Sequence, residues 1–395
     1  MMASVTNVLL DCQKNKTSTS SQSRGLFLSN DAHQIVLHTH AMRFFCSPKP
    51  ATINTMKLSI GIVGLPNVGK STLFKAITKI EVNIANYPFA TIDPNVGVVP
   101  VPDERVDKLA ELTKSAKKIP AVVEFYDIAG LVRGAYKGEG LGNQFLSHIR
   151  EVNAIVMVLR CFGGSEIIHV ENTVDPLRDL DIINTELAMK DLETIEKVLK
   201  KVESEAKIGG STGPSQAKKD LEALVTAKKI LESGKPLWSD VHSDVLENVR
   251  MKELSLLMAK KQIYLLNGRP EDAPAELLEK IKASGADYII ANLSADMDLS
   301  PLIKKAYAVL DLISFFTTGE DETRAWTIKR GIKAPQAAGV IHTDFEKKFI
   351  RAEVINWQKL LEVGSWSAAK QKGLLRLEGK DYIVQDGDVM EIRHG

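Results

Sequence analysis

The residues best suited to chemistry form one short run from Gly64 to Ser71, whose sequence GLPNVGKS fits the pattern G-x-x-x-x-G-K-[ST]. Glycines in such a run let consecutive backbone N–H groups turn inward onto phosphate groups at a helix N-terminus. Lys70 would place a positive charge at the β- and γ-phosphates of a nucleotide, and Ser71 would offer its hydroxyl to Mg²⁺. The predicted nucleotide-binding residues of this run are Asn67, Val68, Gly69, Lys70, Ser71 and Thr72.

Two further segments could complete a metal site. Asp127 ends a predicted strand in the sequence FYDIAG, where a P-loop fold places a carboxylate near Mg²⁺, and the N–H of Gly130 would contact the γ-phosphate. The next segment, residues 131–142, holds four glycines and is typical of a loop that becomes ordered in one nucleotide state. Thr91 precedes a strand and is suited to bind Mg²⁺, with a plain turn threonine as the alternative. The predicted metal ligands are therefore Ser71, Thr91 and Asp127.

Short β-branched runs alternate with helical patterns from Lys57 onward, and this alternation predicts an α/β fold with a mostly parallel sheet. The predicted strands are Leu58 to Val63, Gly97 to Val101, Ala121 to Asp127, Ala154 to Cys161, Gln262 to Leu266 and Asp287 to Ala291. The first of them ends directly before the glycine-rich run, and the third ends at Asp127.

A long helical stretch, about residues 179–260, separates the fourth and fifth predicted strands and is broken by the sequence GGSTGP at 209–214. Apolar residues recur at steps of three and four on both sides of the break. They are Leu192, Ile195, Leu199 and Val202 on the first arm, and Leu221, Leu224, Val225 and Leu231 on the second. Two such stripes cover each other in an antiparallel helical hairpin, whereas packing of both helices on the sheet is the alternative.

The pattern changes after Asp311 to short strands and turns, which predict a small α+β domain. Its predicted strands include Trp326 to Ile328, Lys333 to Ala338, Phe349 to Val354, Asp381 to Val384 and Asp388 to Arg393. Basic and acidic residues are nearly balanced in this region, which therefore lacks the basic stripe of a self-sufficient nucleic-acid binder.

Residues 1–55 differ in composition from the rest, with 13 Ser/Thr and five Lys/Arg but only two acids, Asp11 and Asp31. This composition is typical of a disordered or spuriously translated leader before a start at Met56, which we favour. It also suits an organelle transit peptide, although a clean Arg-rich amphipathic helix is missing.

Overall composition narrows the possible functions. With 395 residues, 44% hydrophobic and 26% charged, the chain is typical of a globular protein of two or three domains. A formal net charge of +1 excludes a general electrostatic attraction to nucleic acid or to an anionic membrane. No apolar run approaches the roughly 18 residues of a membrane span, so we predict no membrane partner. Cys12, Cys46 and Cys161 have no metal or redox spacing and favour a reducing compartment.

The motifs closely resemble those of the Obg-like ATPase (YchF) family, and the resemblance extends from Met56 to the end of the chain. The matching segments are Gly64 to Ser71, Tyr87 to Gly97, Asp127 to Leu131, Gly138 to Phe145, Arg324 to Thr327, Pro335 to Gly339 and His342 to Glu346. The resemblance implies an α/β P-loop NTPase domain of GTPase type with an inserted antiparallel helical hairpin, and a C-terminal TGS domain of β-grasp type. The predicted domains are a leader at 1–55, an OBG-type G domain at 56–311 with the hairpin at about 179–260, and a TGS domain at 312–395.

The resemblance also bears on catalysis. Ras-type GTPases place a glutamine after D-x-x-G to orient the attacking water, whereas this chain has Leu131, which cannot hold water. Hydrolysis must then be slow, or another polar side chain must approach the γ-phosphate. The resemblance points to His169 as this catalytic group, since a neutral imidazole can orient or deprotonate water. On the sequence alone, a structural histidine is the alternative.

The base-reading motif departs from the family. GTPases use N-K-x-D, and the family usually has N-x-x-E, whereas this chain reads NGRPED from Asn267 to Asp272. Asn267 and Gly268 fit a nucleotide-binding role. Pro270 occupies the position of the expected acid, and Glu271 comes one residue late. Because proline cannot accept a hydrogen bond from guanine through its side chain, we predict ATP as the preferred nucleotide over GTP.

The resemblance and the motifs together predict a Mg²⁺-dependent ATPase that releases ADP and phosphate and acts as a nucleotide-gated switch on the ribosome, at its large subunit. K⁺ is a further candidate ion. The alternatives are a GTPase of the same fold and a module that holds nucleotide and binds ribosomal RNA with negligible hydrolysis. The predicted location is cytoplasmic, with a mitochondrion or plastid as the alternative if residues 1–55 form a transit peptide.

Overall fold

The computed structural model describes residues 59–80, 95–128, 141–163, 173–208, 214–239, 243–294 and 298–395. All of them belong to one compact unit, Thr52–Gly395. The predicted leader at 1–55 lies outside the described residues, as do three predicted site residues, Thr91, Gly130 and His169.

Strands and helices alternate through the first part of the chain and are mixed in the last. The strands are β1 Ser59–Val63, β2 Val96–Pro100, β3 Lys117–Ile119, β4 Val122–Asp127, β5 Ala154–Arg160, β6 Gln262–Asn267, β7 Asp287–Ala291, β8 Leu312–Thr318, β9 Glu322–Lys329, β10 Phe349–Asn356, β11 Arg376–Glu378 and β12 Asp388–His394. The α-helices are α1 Lys70–Thr78, α2 Glu104–Thr113, α3 Leu141–Glu151, α4 Pro176–Ile208, α5 Pro214–Glu232, α6 Ser243–Glu247, α7 Val249–Glu253, α8 Ala275–Ala283, α9 Ser300–Val309, α10 Ala334–Ile341, α11 Thr343–Lys347, α12 Trp357–Val363 and α13 Trp366–Gln371.

The first sheet has the strand order β2-β4-β1-β5-β6-β7, in which β2 is antiparallel to β4 and the other pairs are parallel. Every residue of β1, β5 and β6 is buried, because central parallel strands are covered by helices on both faces. The predicted α/β fold with a mostly parallel sheet is confirmed. In the register, Ile62 pairs with Asp127 and Arg160 pairs with Asn267. The carboxyl ends of β1, β4, β5 and β6 therefore meet at one edge of the sheet, where ligands of such folds bind.

Helices α4 and α5 pack against each other along their lengths, with the Lys228 ammonium 2.8 Å from the Glu196 carboxylate across the pair. Leu224 and Ile195 are fully buried, as their stripes predict. Val225 was predicted to lie in the stripe of the second arm, but it is exposed, and the smaller Ala223 and Ala227 are buried instead. The helical stretch was predicted to run to about residue 260, but its second long helix, α5, ends at Glu232. Gly234 follows with a positive φ of 74°, which is a common way for a helix to end.

The second sheet has the order β11-β10-β12-β8-β9-β3. Strands β8 and β9 form an antiparallel hairpin, and β12 pairs in parallel with β8. Helix α10 covers one face of this sheet, where Ala337, Ala338 and Phe315 are fully buried. Within the C-terminal region, the last strand β12 thus lies beside the first strand β8, and a helix covers the sheet, as in a β-grasp domain.

Two predicted strands of the C-terminal region are wrong. Residues 333–338 form the start of α10, because Pro335 is compatible with the first helical turn and alanine has the highest helix propensity. Residues 381–384 form a turn with a single β-bridge between Ile383 and Lys333. Asp388 holds this turn by accepting hydrogen bonds from the Tyr382 hydroxyl at 2.6 Å and the backbone N–H of Gln385 at 2.9 Å.

One strand of the first part of the chain belongs to the second sheet, since β3 pairs in parallel with β9. Arg105 of α2 strengthens the same junction. Its guanidinium lies 2.8 Å from the Asp386 carboxylate and 4.9 Å from the centre of the Phe316 ring. The first and last parts of the chain are thus joined by the backbone pairing of β3 with β9 and by a half-buried arginine, which the sequence did not indicate.

Among the described residues, no helix is both long enough and apolar enough to cross a membrane.

Candidate nucleotide-binding site

The loop between β1 and α1 requires its glycines. A Cβ on Gly64 would lie 2.6 Å from the carbonyl oxygen of Val158, which is backbone of β5 and cannot move aside cheaply. Gly69 has a φ of 110°, and a Cβ there would lie 2.5 Å from the Asn267 amide nitrogen. Asn67 also takes a positive φ, of 62°. The path of the loop therefore requires glycine at positions 64 and 69.

Lys70 is the main charged group of the loop. Its side chain is buried, and its ammonium donates a 2.8 Å hydrogen bond to the carbonyl oxygen of Leu65. Burial lowers the pKa of Lys70 to about 8, and the nearby Asp127 carboxylate opposes this shift. A buried ammonium that is only partly compensated gains strongly from an anion placed beside it. The loop is thus prepared to hold phosphate.

Asp127 lies at the end of β4, beside the end of β1. The pKa of its carboxyl group is raised, because the effect of burial exceeds the opposing effect of the Lys70 ammonium. Ser71 and Thr72 are exposed in the first turn of α1. The structure thus brings Lys70 and Asp127 within electrostatic reach, with Ser71 directly after Lys70.

The donor set suits Mg²⁺, which binds proteins through one or two carboxylates and hydroxyls together with phosphate oxygens of the substrate. Ser71 and Asp127 are the oxygen donors that the described residues provide here. No group of three His, Cys, Asp or Glu side chains that could hold a metal by itself occurs in the described residues. A metal at this site would therefore depend on the nucleotide for further ligands.

Asn267 joins the phosphate loop to the next part of the site. Its side chain is 4% exposed, and its amide nitrogen donates a 2.9 Å hydrogen bond to the carbonyl oxygen of Val68. Its amide oxygen accepts a 3.1 Å hydrogen bond from the backbone N–H of Leu293. Both ends of the amide are used, so Asn267 fixes the phosphate loop against the segment that follows β7.

Gly268 is buried beside Asn267, with Cys161 and Phe162 on one side and Asp272 on the other. A Cβ on Gly268 would lie 3.1 Å from the Cβ of Cys161, so a larger residue is disfavoured. Burial is the largest cause that raises the pKa of the Cys161 thiol to about 12, which keeps it neutral. This end of the site is therefore tightly packed around Gly268.

The turn Pro270–Asp272 replaces the base-reading acid of GTPases with a different arrangement. The Asp272 carboxylate accepts hydrogen bonds from the backbone N–H of Arg269 at 3.0 Å and from its guanidinium at 3.2 Å. These bonds lower the pKa of Asp272. Glu271 is exposed and lies 3.3 Å from the same guanidinium. Both acids after Pro270 are therefore engaged with Arg269.

Three residues of this arrangement were not predicted as site residues from the sequence: Leu65, Cys161 and Leu293. Leu65 and Leu293 act through backbone atoms, which residue types do not reveal. Leu293 follows β7, so the rule that ligands bind beyond the carboxyl ends of parallel strands could have indicated it.

Comparison with known families and proteins identifies the relatives of this chain. Residues 59–202 match the family MMR_HSR1, described as a 50S ribosome-binding GTPase, and residues 312–395 match YchF-GTPase_C, described as a protein of unknown function. The ribosome-binding ATPase YchF of Bacillus subtilis is 44% identical over 368 residues, which cover 86% of this chain and 99% of that protein. Obg-like ATPase 1 of Saccharomyces cerevisiae is 44% identical over 375 residues, covering 86% of this chain and 94% of that protein.

A solved structure, that of the YchF GTPase of Schizosaccharomyces pombe, superimposes with a TM-score of 0.74 at 40% sequence identity. The match covers 85% of this chain and 98% of that one. The fold of a GTPase-type P-loop domain followed by the C-terminal domain of this family is thereby confirmed.

Proposed function

This chain belongs to the YchF and Obg-like ATPase family, and we propose that it is a Mg²⁺-dependent ATPase that converts ATP to ADP and phosphate and acts as a nucleotide-gated switch on the ribosome. The observation that carries the nucleotide part of this proposal is the buried Lys70 ammonium, held over a glycine loop and within reach of Asp127.

The residues of the phosphate end have distinct roles in the proposed reaction. Lys70 binds the β- and γ-phosphates, and the N–H groups of Asn67 to Thr72 orient them. Ser71, Thr91 and Asp127 would hold Mg²⁺, which neutralises charge on the phosphate oxygens. Gly130 is the proposed backbone contact to the γ-phosphate. Lys70 and Asp127 contribute fixed charge in a site where burial strengthens electrostatic interactions.

Water activation is assigned to His169, as the family resemblance implies, because Leu131 cannot orient water. His169→Ala should retain ATP binding and lose most turnover, which an ATP-binding titration and a phosphate-release assay on the same preparation would show. Unchanged turnover would remove His169 from the mechanism.

ATP is the proposed nucleotide because no acid stands at position 270, and because Asp272 and Glu271 contact Arg269. Guanine presents two donors, N1–H and the N2 amino group, which need a carboxylate acceptor. The relatives carry both names, ATPase in Bacillus subtilis and GTPase in Schizosaccharomyces pombe. Competition of ATP and GTP against a fluorescent nucleotide decides between them, and binding of GTP alone would overturn the proposal.

The ribosome is the proposed partner because the relative in Bacillus subtilis is named a ribosome-binding ATPase. Co-sedimentation with ribosomes in ATP and in ADP tests it, and absence from the pellet in both states would contradict it. A second candidate, a module that holds nucleotide without hydrolysis, is favoured by Leu131. A single-turnover assay with ribosomes present distinguishes the two, since the module would retain uncleaved ATP.

A further inference from the structure

The two sheets end in four edge strands, and one of them, β7, differs from the other three. Edge strands present unpaired backbone N–H and C=O groups, which natural proteins shield with charged residues, proline or short length. Strands β3 and β11 have three residues each and carry charged side chains, and β2 contains Gly97 and ends at Pro100. Strand β7, with the sequence DYIIA, has only the acid at its start.

The outer edge of β7 is open. This strand pairs in parallel with β6 along its whole length, and no strand among the described residues pairs with its other edge. Helices α8 and α9 both contact β7. Tyr288, Ile289 and Ile290 are nevertheless only half-buried, whereas every residue of β6 is buried. Because side chains alternate along a strand, large apolar groups are partly exposed on both faces of this edge.

Charged groups near β7 do not shield the centre of the strand. Asp287 stands at its first position, where its carboxylate lies 2.7 Å from the Lys305 ammonium of α9. The Lys282 ammonium of α8 lies 5.9 Å from the centre of the Tyr288 ring. The charge of Asp287 is thus compensated within the chain, and the middle of the edge is apolar.

The sequence of β7 is complementary to itself. When two copies pair antiparallel about Ile289, Tyr288 of each copy lies opposite Ile290 of the other, and Asp287 lies opposite Ala291. Pairs of an aromatic and a β-branched residue stabilise sheets, and no like charges meet in this register. The contact is isologous, because a two-fold axis at Ile289 brings the same residues together from both copies.

Helix α8 adds matching charges beside the strand. Its first half carries the exposed acids Glu276 and Glu279, and the exposed Lys282 stands near its end. The two-fold axis reverses the direction of the second α8, so the acids of each helix would face Lys282 of the other. Complementary charge of this kind fixes the register of an interface.

We propose that β7 is the contact surface of a homodimer, in which two copies pair antiparallel through this strand and form one continuous sheet. An extended peptide of another protein would use the same backbone groups. It would, however, leave the self-complementary strand and the matching charges of α8 without a role.

The proposed dimer goes beyond the proposed function, because it requires neither a nucleotide nor the ribosome. A five-residue strand makes a small contact. The dimer should therefore be weak, with a dissociation constant on the order of 10 µM.

Sedimentation velocity of the nucleotide-free full chain, from about 1 to 100 µM, tests the proposal. The wild type should change from monomer to dimer across this range. Ile289→Lys places two ammonium groups opposite each other at the axis and should weaken the dimer at least about 30-fold. Val98→Lys is the matched control, because Val98 is a half-buried residue at the centre of the other edge strand of the same sheet. It should leave the dissociation constant unchanged, and thermal unfolding verifies that both variants are folded.

A charge exchange on α8 tests the interface without altering the strand. Glu279→Lys and Lys282→Glu should each weaken the dimer about three- to tenfold, because every change acts twice across the axis. The double variant should restore the wild-type dissociation constant. Both residues are exposed, so the fold should tolerate each change.

A cysteine at the axis tests the register. Residues directly opposite each other in antiparallel strands have Cα atoms about 4.5–5.5 Å apart, which a disulfide can span. Ile289→Cys, in a chain with Cys12→Ser and Cys46→Ser, should therefore form a covalent dimer under mild oxidation, while the native Cys161 is buried. Asp287→Cys is the control on the same strand, since its two copies would lie about 13 Å apart.

A wild type that stays monomeric at about 100 µM would overturn the inference and leave the edge to a strand of another protein. Equal cross-linking of Ile289→Cys and Asp287→Cys would also overturn it, as would a double exchange on α8 that does not restore the dimer. These measurements contain no nucleotide, so they decide the role of β7 whether or not the protein hydrolyses ATP.

Discussion

The two ends of the nucleotide site are built differently. At the phosphate end, a buried cation, a half-buried carboxylate and a sterically constrained glycine loop form an arrangement with little freedom. At the base end, the acid of the usual motif is replaced by Pro270, and the neighbouring acids contact an exposed arginine. Asn267 connects the two ends, because its side-chain amide donates a hydrogen bond to the Val68 carbonyl and accepts one from the backbone N–H of Leu293.

This difference predicts that amino-acid substitutions have different consequences at the two ends of the site. Triphosphate binding needs charge at fixed positions, so the loss of one group there costs the whole function. Base recognition distributes over several weak contacts, and a substitution there changes selectivity between nucleotides. We therefore expect changes at the phosphate end to abolish binding and changes at the base end to alter preference.

The largest effect is expected for Lys70→Ala. Removing the only buried ammonium of the loop should weaken ATP binding about 100-fold, since a charged hydrogen bond contributes roughly 1.5–3 kcal/mol and the phosphates gain more than one. Isothermal titration with ATP and Mg²⁺ measures it. Lys75→Ala, an exposed lysine of the same helix, is the control and should bind like the wild type. Equal loss in both variants would mean that helix charge in general, not Lys70, holds the phosphates.

The second effect is a dependence of ATP affinity on pH. The pKa of Lys70 in the free protein is about 8, and bound phosphates raise it, so binding above pH 8 requires proton uptake. Affinity should be constant below that pH and fall by up to about tenfold for each pH unit above it. Fluorescent-nucleotide titration from pH 7 to about 9.5 measures this.

Unfolding of the protein cannot explain this loss of ATP affinity, because the titration of Lys70 makes the folded protein more stable as the pH rises. Between pH 8 and 10.5 the unfolded chain holds the Lys70 proton more tightly than the folded chain, so this group raises the free energy of unfolding as the pH rises. An ATP affinity that stays constant to pH 9.5, or that falls equally in Lys70→Ala, would contradict the assignment.

An intermediate effect is expected at the residue that joins the two ends. Asn267→Ala removes the hydrogen bonds to the Val68 carbonyl and the Leu293 N–H, leaving two buried backbone groups unpaired. The free energy of unfolding should fall by about 2–3 kcal/mol, and ATP and GTP should lose affinity by similar factors. Urea denaturation and nucleotide titration give the two quantities. Asn248→Ala, which breaks a hydrogen bond to Asp220 within the helical region, should lower stability without changing nucleotide affinity.

The smallest effect should follow from restoring an acid at the base end. Pro270→Asp places a carboxylate at the position that GTPases use, and GTP affinity should rise relative to ATP by about three- to tenfold. Pro270→Asn is the matched control and lacks the charge. Competition titration measures the ratio, and an equal gain in both variants would show that release of the turn, not the carboxylate, causes the change.

Much of the phosphate end could be predicted from the sequence, because its motif needs particular residue types at fixed spacing between a strand and a helix. The strand that ends at Asp127 was predicted for the same reason. At the base end, Asn267, Gly268 and Pro270 could be singled out from the sequence. The contacts of Asn267 could not, since its partners are a carbonyl of Val68 and an N–H of Leu293, which nearly every residue type offers.

Local sequence patterns also gave wrong or missing predictions of secondary structure and burial elsewhere in the chain. Residues 333–338 carry local helix signals in Pro335 and the alanines, which the strand prediction overlooked, and burial of Ala337 and Ala338 in the C-terminal core adds to them. The pairing of β3 with β9 joins segments about 200 residues apart, for which a three-residue strand carries no signal. Val225 was wrongly placed in a core stripe, because Ala223, Leu224 and Ala227 form the buried face of this helix and Val225 lies outside it.

The ratio of ATP to GTP affinity of the wild-type protein, measured by competition on nucleotide-free protein with Mg²⁺, examines both ends of the nucleotide site at once. A phosphate end that binds any triphosphate and a base end without an acid at position 270 predict tighter binding of ATP. Tighter binding of GTP would contradict the account of the base end, and failure to bind either nucleotide would contradict the account of the phosphate end.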